Sequence, residues 1–367
     1  MAKKKNTSKG KNVFFSIVSF IVGFLASYLV VAPTLLEPTE PINATDLEIN
    51  IMMAGNKFNG DCIYIKAGDT DILVDAGSRK SSAGNIKDYI FDNQSNHAYV
   101  SDGKLEYVIA THADQDHIAG FVGTTSEPGI FKDENIKVET VIQFTRSDKT
   151  SDVYYEYCDA VNELKENGTK VYTALECYNN ENGAQRIIQV AEGIEIEILY
   201  NHFYENKASD ENEYSVCFML RRGTQQFLFT GDLEGEGEKY LVINNDLGKV
   251  YFYKVGHHGS YSSSTQQLLS IIQPKLVVAS CTAFTTEYTT NVSNTFPAQA
   301  SVSRLAQIGT IEQFYVTQMI SDNSDGYEPA NGHIVIKSND NGTSVECSAS
   351  NTNFYEFEIF KKYRTWG

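Results

Sequence analysis

Positive charge is scarce in this chain. Its 367 residues hold 30 Lys and Arg against 47 Asp and Glu, a net of −17 at neutral pH. Five of those cations (Lys3, Lys4, Lys5, Lys9, Lys11) fall within the first 32 residues, which contain no acid, so the remainder counts 25 basic against 47 acidic residues, a net of −22. So acidic a body repels polyanions except where a metal or local basic groups reverse the field, which counts against tight non-specific DNA binding while leaving metal-dependent cleavage of a phosphodiester open. The six cysteines (Cys62, Cys158, Cys177, Cys217, Cys281, Cys347) show no Cys-x-x-Cys spacing. Cys62, Cys217 and Cys281 lie inside apolar runs and read as small buried hydrophobes. Cys158 and Cys177 flank a helix–strand unit, and the sequence leaves open whether they pair. No Gly-x-Ser-x-Gly elbow is present, which removes a serine nucleophile of that kind. Gly231-x-x-x-Gly235-x-Gly237 lacks the Lys-Ser/Thr ending of a phosphate loop. The 22 tyrosines have no basic residues interleaved and read as core and surface aromatics rather than as a base-stacking platform. There is no internal repeat and no long low-complexity segment.

Only one long apolar run occurs, Val13 to Ala32, twenty residues without a charge. At about 1.5 Å per residue it spans the ~30 Å hydrocarbon core of a bilayer. A cleaved signal peptide is the rival reading, but its apolar region is usually shorter and a cut after Ala32 would leave Pro33 adjacent. The expected organisation is a basic cytoplasmic tail (1–12), a single transmembrane anchor (13–32), a linker (33–46) containing Pro33, Pro38 and Pro41, and a body (47–367). Lysines before the span, with Glu37 and Glu40 after it, place the body outside the cell membrane. Hydrophobic and charged contents of 41% and 21% are those of an ordinary globular protein.

Within the body, short Ile- and Val-rich segments separated by Gly, Asn and Asp predict strands at Leu47–Ala54, Cys62–Ala67, Asp71–Asp75 and Leu105–Ala110. Further strands are expected at Glu195–Tyr200, Ser215–Arg221, Gln226–Phe229, Val250–Val255, Leu276–Ala279, Phe314–Gln318, His333–Lys337 and Phe354–Phe360. Helices are expected at Asn85–Asn93, Ser151–Asn167, Ser263–Ile272 and Ala300–Ile308. Strands in runs, then alternating with helices, suit two mixed sheets packed face to face with helices outside.

Seven histidines occur, and four sit in two short segments: Thr111-His112-Ala113-Asp114-Gln115-Asp116-His117 and Gly256-His257-His258-Gly259-Ser260. Between them Asp232 follows the apolar run ending at Phe229. Imidazoles and carboxylates gathered at strand ends are the usual nitrogen and oxygen ligands of a divalent metal. An extended loop puts His112 and Asp114 on one side, and the turn into a helix near His117 points Asp116 and His117 the other way. One loop can then serve two metals, with Asp232 bridging. Of His257 and His258, one is expected to ligate and the other to face the substrate; we take His257 as the ligand and His258 as the proton donor. Ser260 and Ser263, at a glycine turn before a helix, either bind a phosphate or only cap the helix. Asp61 and Asp75 either accept hydrogen bonds behind the site or form turns beside Gly60 and Gly77.

These segments together make the chain resemble a metallo-β-lactamase-fold protein, most closely the extracellular hydrolase domain of the ComEC family of DNA-uptake competence proteins. The matching pieces run in order: Asn59-Gly60-Asp61, Leu73-Val74-Asp75-Ala76-Gly77, Thr111-His112-x-Asp114-x-Asp116-His117, Asn212-x-x-Ser215, Thr230-Gly231-Asp232, and Lys254-Val255-Gly256-His257-His258-Gly259-Ser260 with Ser263. The resemblance spans roughly residues 47 to 340. It implies an α/β fold, an αββα sandwich of two mixed sheets. It also implies metal ligands at His112, Asp114, Asp116, His117, Asp232 and His257, with Asn212, Ser215, Ser260 and Ser263 near the substrate. Nothing resembles that family's multi-helix channel. The wider fold family has histidine where Asp114 stands and a further ligand histidine before the bridging aspartate; His202 is the only candidate for the latter. Without it, carboxylates dominate one position and shift preference towards Mn²⁺ or Mg²⁺ over Zn²⁺.

The expected function is a membrane-anchored extracellular hydrolase holding two divalent ions. It would cleave DNA or another phosphodiester polymer by a metal-activated hydroxide, with Asp116 and His258 as catalytic groups. The alternatives are a cell-envelope phosphoesterase, a small-ester hydrolase of the same fold, or a non-catalytic binding module. The sequence leaves protein partners open.

Overall fold

The computed structural model describes residues 45–53, 55–321 and 326–367. The expected tail and anchor, and the linker up to residue 44, lie outside them. Among the described residues no helix is long and apolar enough to cross a membrane.

Sixteen strands form two mixed sheets among these residues. In chain order they are β1 (Leu47–Ile51), β2 (Ile63–Ala67), β3 (Thr70–Val74), β4 (Lys104–Ala110), β5 (Lys137–Gln143), β6 (Lys170–Thr173), β7 (Ile187–Ala191), β8 (Ile194–Ile198), β9 (Phe218–Arg222), β10 (Gln225–Phe229), β11 (Phe252–Lys254), β12 (Leu276–Ala283), β13 (Gln313–Ile320), β14 (Tyr327–Pro329), β15 (Ile334–Asn339) and β16 (Gly342–Cys347). The first sheet runs β16-β15-β1-β2-β3-β4-β5-β6 and the second β14-β13-β12-β11-β10-β9-β8-β7. Within them β3 to β6 are mutually parallel, as are β10 to β13.

Strict alternation along the central strands of the second sheet explains the layering. Phe218, Leu220, Phe227, Phe229, Phe252, Leu276 and Val278 pack into one core with Ile49, Ile65, Ile72, Val108 and Val141 of the first sheet. Their neighbours Cys217, Met219, Leu228, Tyr253, Val277 and Ala279 point to the opposite face. There they meet Leu268, Leu269 and Ile272 of the helix Gln266–Ile272 and Val302 and Leu305 of the helix Gln299–Ala306. Sheet lies on sheet with helices flanking, as the sequence pattern implies.

The expected helix over Ser151–Asn167 forms at Asp152–Glu166, and the Ser151 hydroxyl accepts from the Tyr154 N–H. Phe354–Phe360, expected as a strand, instead makes a single turn at Phe354–Glu356 and a helix at Glu358–Tyr363. Phe354, Phe357 and Phe360 recur every third residue, a helical period that puts all three against one core. Strands β5, β6, β7, β14 and β16 and the helices Ala174–Asn179 and Gly235–Asn244 were not expected. All six cysteines, Cys158 and Cys177 included, are free.

Candidate metal centre

Every chemistry-bearing segment emerges at one edge of the two sheets. Asp75 follows β3, the Thr111–His117 loop follows β4, Asp232 follows β10, and Gly256–Gly259 follows β11. Asp61 precedes β2, which runs antiparallel to β3 and so starts where β3 ends. Side chains distant in sequence are brought together because parallel strands deliver their C-terminal ends to the same side. The backbone is strained there: Asp75 (φ 56°), His257 (φ 47°) and His258 (φ 54°) all adopt left-handed conformations, each costing about 1–3 kcal/mol. Gly231 (φ 53°) is required for a second reason, since a Cβ there would lie 2.9 Å from Ser215 Oγ and 3.0 Å from Thr111 Cβ.

Asp232 sits at the middle of the cluster. Its Oδ2 lies 3.2 Å from Nε2 of both His117 and His258, and 4.0 Å from Nε2 of His257. The two nearer imidazoles are held from behind. His117 Nδ1 is 2.7 Å from Asp75 Oδ2, and Thr111 donates to the same carboxylate through N–H (2.8 Å) and hydroxyl (2.7 Å). His258 Nδ1 donates to the Ser280 carbonyl at 2.8 Å, with Asp61 Oδ1 at 3.4 Å. Acceptors at Nδ1 fix the tautomer and turn Nε2 into the cluster. Asp116 completes it, its Oδ2 lying 3.3 Å from His258 Nε2 and accepting from the Tyr288 hydroxyl at 2.8 Å.

Two properties make this a metal-binding arrangement. First, His112 Nε2, His117 Nε2, Asp232 Oδ1 and His258 Nε2 are buried atoms with no hydrogen-bond partner, a costly condition that a bound cation relieves. His112, His117 and Asp232 form one group of potential ligands with donor atoms within 4.8 Å of one another, and Asp116, His117 and His258 form a second. Second, the charges call for a cation. Burial opposes protonation of His117 and His258, but Asp232 with Asp75, and Asp232 with Asp61, outweigh it and hold both imidazoles well above their usual pKa. Burial likewise opposes ionisation of Asp116 and Asp232, yet the facing histidines keep both carboxyls below the usual range. Protons carry the balancing charge in the absence of an ion, and a divalent cation can replace them.

The other expected residues take different places. Asp114 stands at the margin: its Oδ2 is 3.6 Å from His112 Nε2, while Oδ1 pairs with the ammonium of Lys149. His257 is also marginal, with 21% of its side chain exposed and Nδ1 3.1 Å from Glu234 Oε1. His258, which we expected to face substrate, is the fully buried member of the pair. His202 is not brought to the site; it stacks on Tyr240 at 4.0 Å. Ser263 is buried and donates to the Leu233 carbonyl (2.8 Å), and Ser260 bonds Ser262 (2.9 Å). Ser215 Oγ accepts from the Asp232 N–H (3.1 Å) and Asn212 donates to Glu234 (3.4 Å), so both brace the carboxylates rather than line an open surface. Sequence reasoning passed over Lys149 and Tyr288, which stand in no motif, and left Asp61 and Asp75 undecided between support and turn formation. Their proximity to glycine was a signal, but the strand pairing that aims them inward was not readable.

Comparison with known proteins adds the following. The sequence profile of the metallo-beta-lactamase superfamily matches residues 55–129. Recombination protein 2 of Haemophilus influenzae is 33% identical over 89 residues, 24% of this chain and 11% of that protein. ComE operon protein 3 of Bacillus subtilis is 26% identical over 181 residues, 48% of this chain and 20% of that protein. Competence protein ComA of Neisseria gonorrhoeae is 35% identical over 91 residues, covering 24% and 13%. The chain thus matches a fifth or less of the length of these relatives. Among solved structures, the metallo-beta-lactamase fold protein YhfI of Bacillus subtilis overlaps 74% of this chain and 85% of its own, at 12% identity and a TM-score of 0.36, an overlap too loose to inform function. From the profile match and the paired mixed sheets, this chain has the metallo-β-lactamase fold and is similar, at low identity, to competence proteins.

Proposed function

We propose that the protein is a metal-dependent phosphodiesterase whose substrate class is DNA, tethered by residues 13–32 with its body outside the cell. The observation that carries this reading is the gathering of three buried imidazole nitrogens, Nε2 of His112, His117 and His258, around Asp232 at the strand-end edge, with no hydrogen-bond partner for them or for Asp232 Oδ1. The relatives' names, recombination and competence, favour DNA. The donor set joins three imidazoles (His112, His117, His258) to the carboxylates of Asp116 and Asp232, so the carboxylates suit Mn²⁺ or Mg²⁺ and the imidazoles Zn²⁺, the alternative.

A divalent ion held there supplies Lewis-acid polarisation of a phosphoryl oxygen and makes water acidic enough to react near neutral pH. His117 and His258, each with Nδ1 anchored behind, would hold such an ion through Nε2, together with Asp232 between them. Asp116, fixed by Tyr288 and His258, is oriented to accept a hydrogen bond from the attacking water. With His258 inside the donor set, the proton donor to the leaving oxygen is His257, partly exposed and steadied by Glu234.

The test incubates the full chain with single- and double-stranded DNA and Mn²⁺, Mg²⁺ or Zn²⁺. Cleavage that disappears in Asp232→Ala and His117→Ala, with the fold retained, is the expected result. Intact DNA with turnover of bis(p-nitrophenyl) phosphate transfers the reading to an envelope phosphoesterase. Absence of both activities with every metal overturns it.

A further inference from the structure

We propose that this centre takes one divalent ion, and that the ammonium of Lys149, paired with Asp114, supplies the positive charge a second ion would bring. The proposal rests on the metal-dependent reading above but not on the identity of the substrate.

Of the four groups of potential ligands, three contain His117, among them His112–His117–Asp232 and Asp116–His117–His258; in the fourth, Asp61–Asp232–His258, Asp61 is paired with Lys254 at 2.7 Å and His258 Nδ1 is given to the Ser280 carbonyl at 2.8 Å. An imidazole has two nitrogens, and His117 has committed Nδ1 to Asp75 at 2.7 Å. Only Nε2 remains, and it binds one ion. The groups are therefore alternative descriptions of a single position around Asp232, not two full sites. A second position would have to be built from His112, Asp114 and the other oxygen of Asp232.

Asp114 is already taken. Its Oδ1 pairs with Lys149 Nζ, while its Oδ2 faces His112 Nε2 at 3.6 Å. The ammonium thus neutralises the carboxylate that a second ion would need, and leaves that position two donors. His202 does not repair the deficit, because it is stacked on Tyr240, and His257 stands 4.0 Å from Asp232 with its Nδ1 on Glu234. Lys149 is lodged rather than waving in solvent: 35% of its side chain is exposed, and Glu211 and Asp210 add attraction beside Asp114. Glu211 in turn accepts from the Asp148 N–H at 3.1 Å, and the Lys149 N–H donates to Ser147 Oγ at 3.0 Å, which fixes the loop. An ammonium keeps three donors, so hydrogens not used by Asp114 can meet a phosphate oxygen.

Metal counting tests this without substrate. The full chain is stripped with chelator, loaded with excess Mn²⁺, freed of unbound ion and analysed for Mn²⁺ per chain together with its electron paramagnetic resonance spectrum. One equivalent with an isolated six-line signal is expected for the wild type and for Lys149→Arg, which keeps the charge. Lys149→Gln is expected to take up a second equivalent and to show a spin-coupled spectrum. Two equivalents in the wild type overturn the proposal, whatever the variants do. Lys149→Gln that keeps its native circular dichroism and still binds one equivalent also overturns it. Failure to cleave DNA has no bearing on either count.

Discussion

The ammonium of Lys254 lies 2.7 Å from Asp61 Oδ2, and only 1% and 2% of the two side chains are exposed. Through its other oxygen Asp61 reaches His258 Nδ1 at 3.4 Å, so a lysine from β11 bears on the metal cluster without touching it. Burial alone would raise the Asp61 pKa, but Lys254 and His258 outweigh it and bring the carboxyl down to about 2. A depressed carboxyl contributes stability that is present above its ordinary value of 3.8 and lost as pH falls towards about 2. Lys254→Met removes one partner of a buried pair and should cost about 3–5 kcal/mol. Lys254→Met combined with Asp61→Leu should cost less than the single change. Urea unfolding at pH 7 measures both, and a double variant no more stable than the single one contradicts the account.

Metal should stabilise the native chain and not the unfolded one. Added at a hundredfold excess over its dissociation constant, Mn²⁺ is expected to raise the unfolding free energy by about 2.7 kcal/mol. Asp232→Asn, which weakens the carboxylate lying 3.2 Å from both His117 and His258, should abolish most of that gain. Thermal melts of chelator-treated protein with and without Mn²⁺ give the comparison.

A pH effect independent of the centre arises at His333. Burial, aided by nearby His97, lowers its pKa to about 4, and Nδ1 accepts the Met53 N–H at 3.2 Å in the neutral form. The unfolded chain binds the proton more readily, so stability falls as pH drops from about 6.5 to about 4. His333→Gln should flatten the difference between urea midpoints at pH 7 and pH 5. An unchanged difference would remove His333 from the pH response.

Tyr288 offers the sharpest separation of function from stability. The residue is 55% exposed, yet its hydroxyl donates to Asp116 Oδ2 at 2.8 Å. Tyr288→Phe removes the group that orients the Asp116 carboxylate and should lower kcat roughly ten- to a hundredfold. The unfolding free energy should move by no more than about 0.5 kcal/mol. Steady-state kinetics beside a denaturation curve decide it, and an unaltered kcat dismisses the residue.

Most central strands were legible because short apolar runs such as Phe227-Leu228-Phe229 are local signals, whereas β5, β6, β7, β14 and β16 were missed. The loop from His112 to His117 was legible because its ligand-type residues are adjacent in sequence. What was not legible depends on register and on approach from elsewhere. Lys149 gains meaning only because the loop after β5 comes beside the loop after β4. Tyr288 lies more than 170 residues from the aspartate it holds. The inward turn of His258 and the outward place of His257 follow from two successive left-handed residues, a backbone state nothing in Gly-His-His-Gly announces.

The pairing of β1 with β15, Leu47 opposite Ser338, has a consequence in time. Strand β1 cannot acquire that neighbour until roughly 290 further residues have been synthesised, about 15–60 s at 5–20 residues per second. Non-local pairing of this kind also slows folding itself. The N-terminal strand of the first sheet is therefore left with an open edge through most of the chain's synthesis, and the corner that unites Asp61 with His258 matures late. A chain interrupted before β15 emerges would be exposed to edge-to-edge association, so its fate is a contest between completion and aggregation.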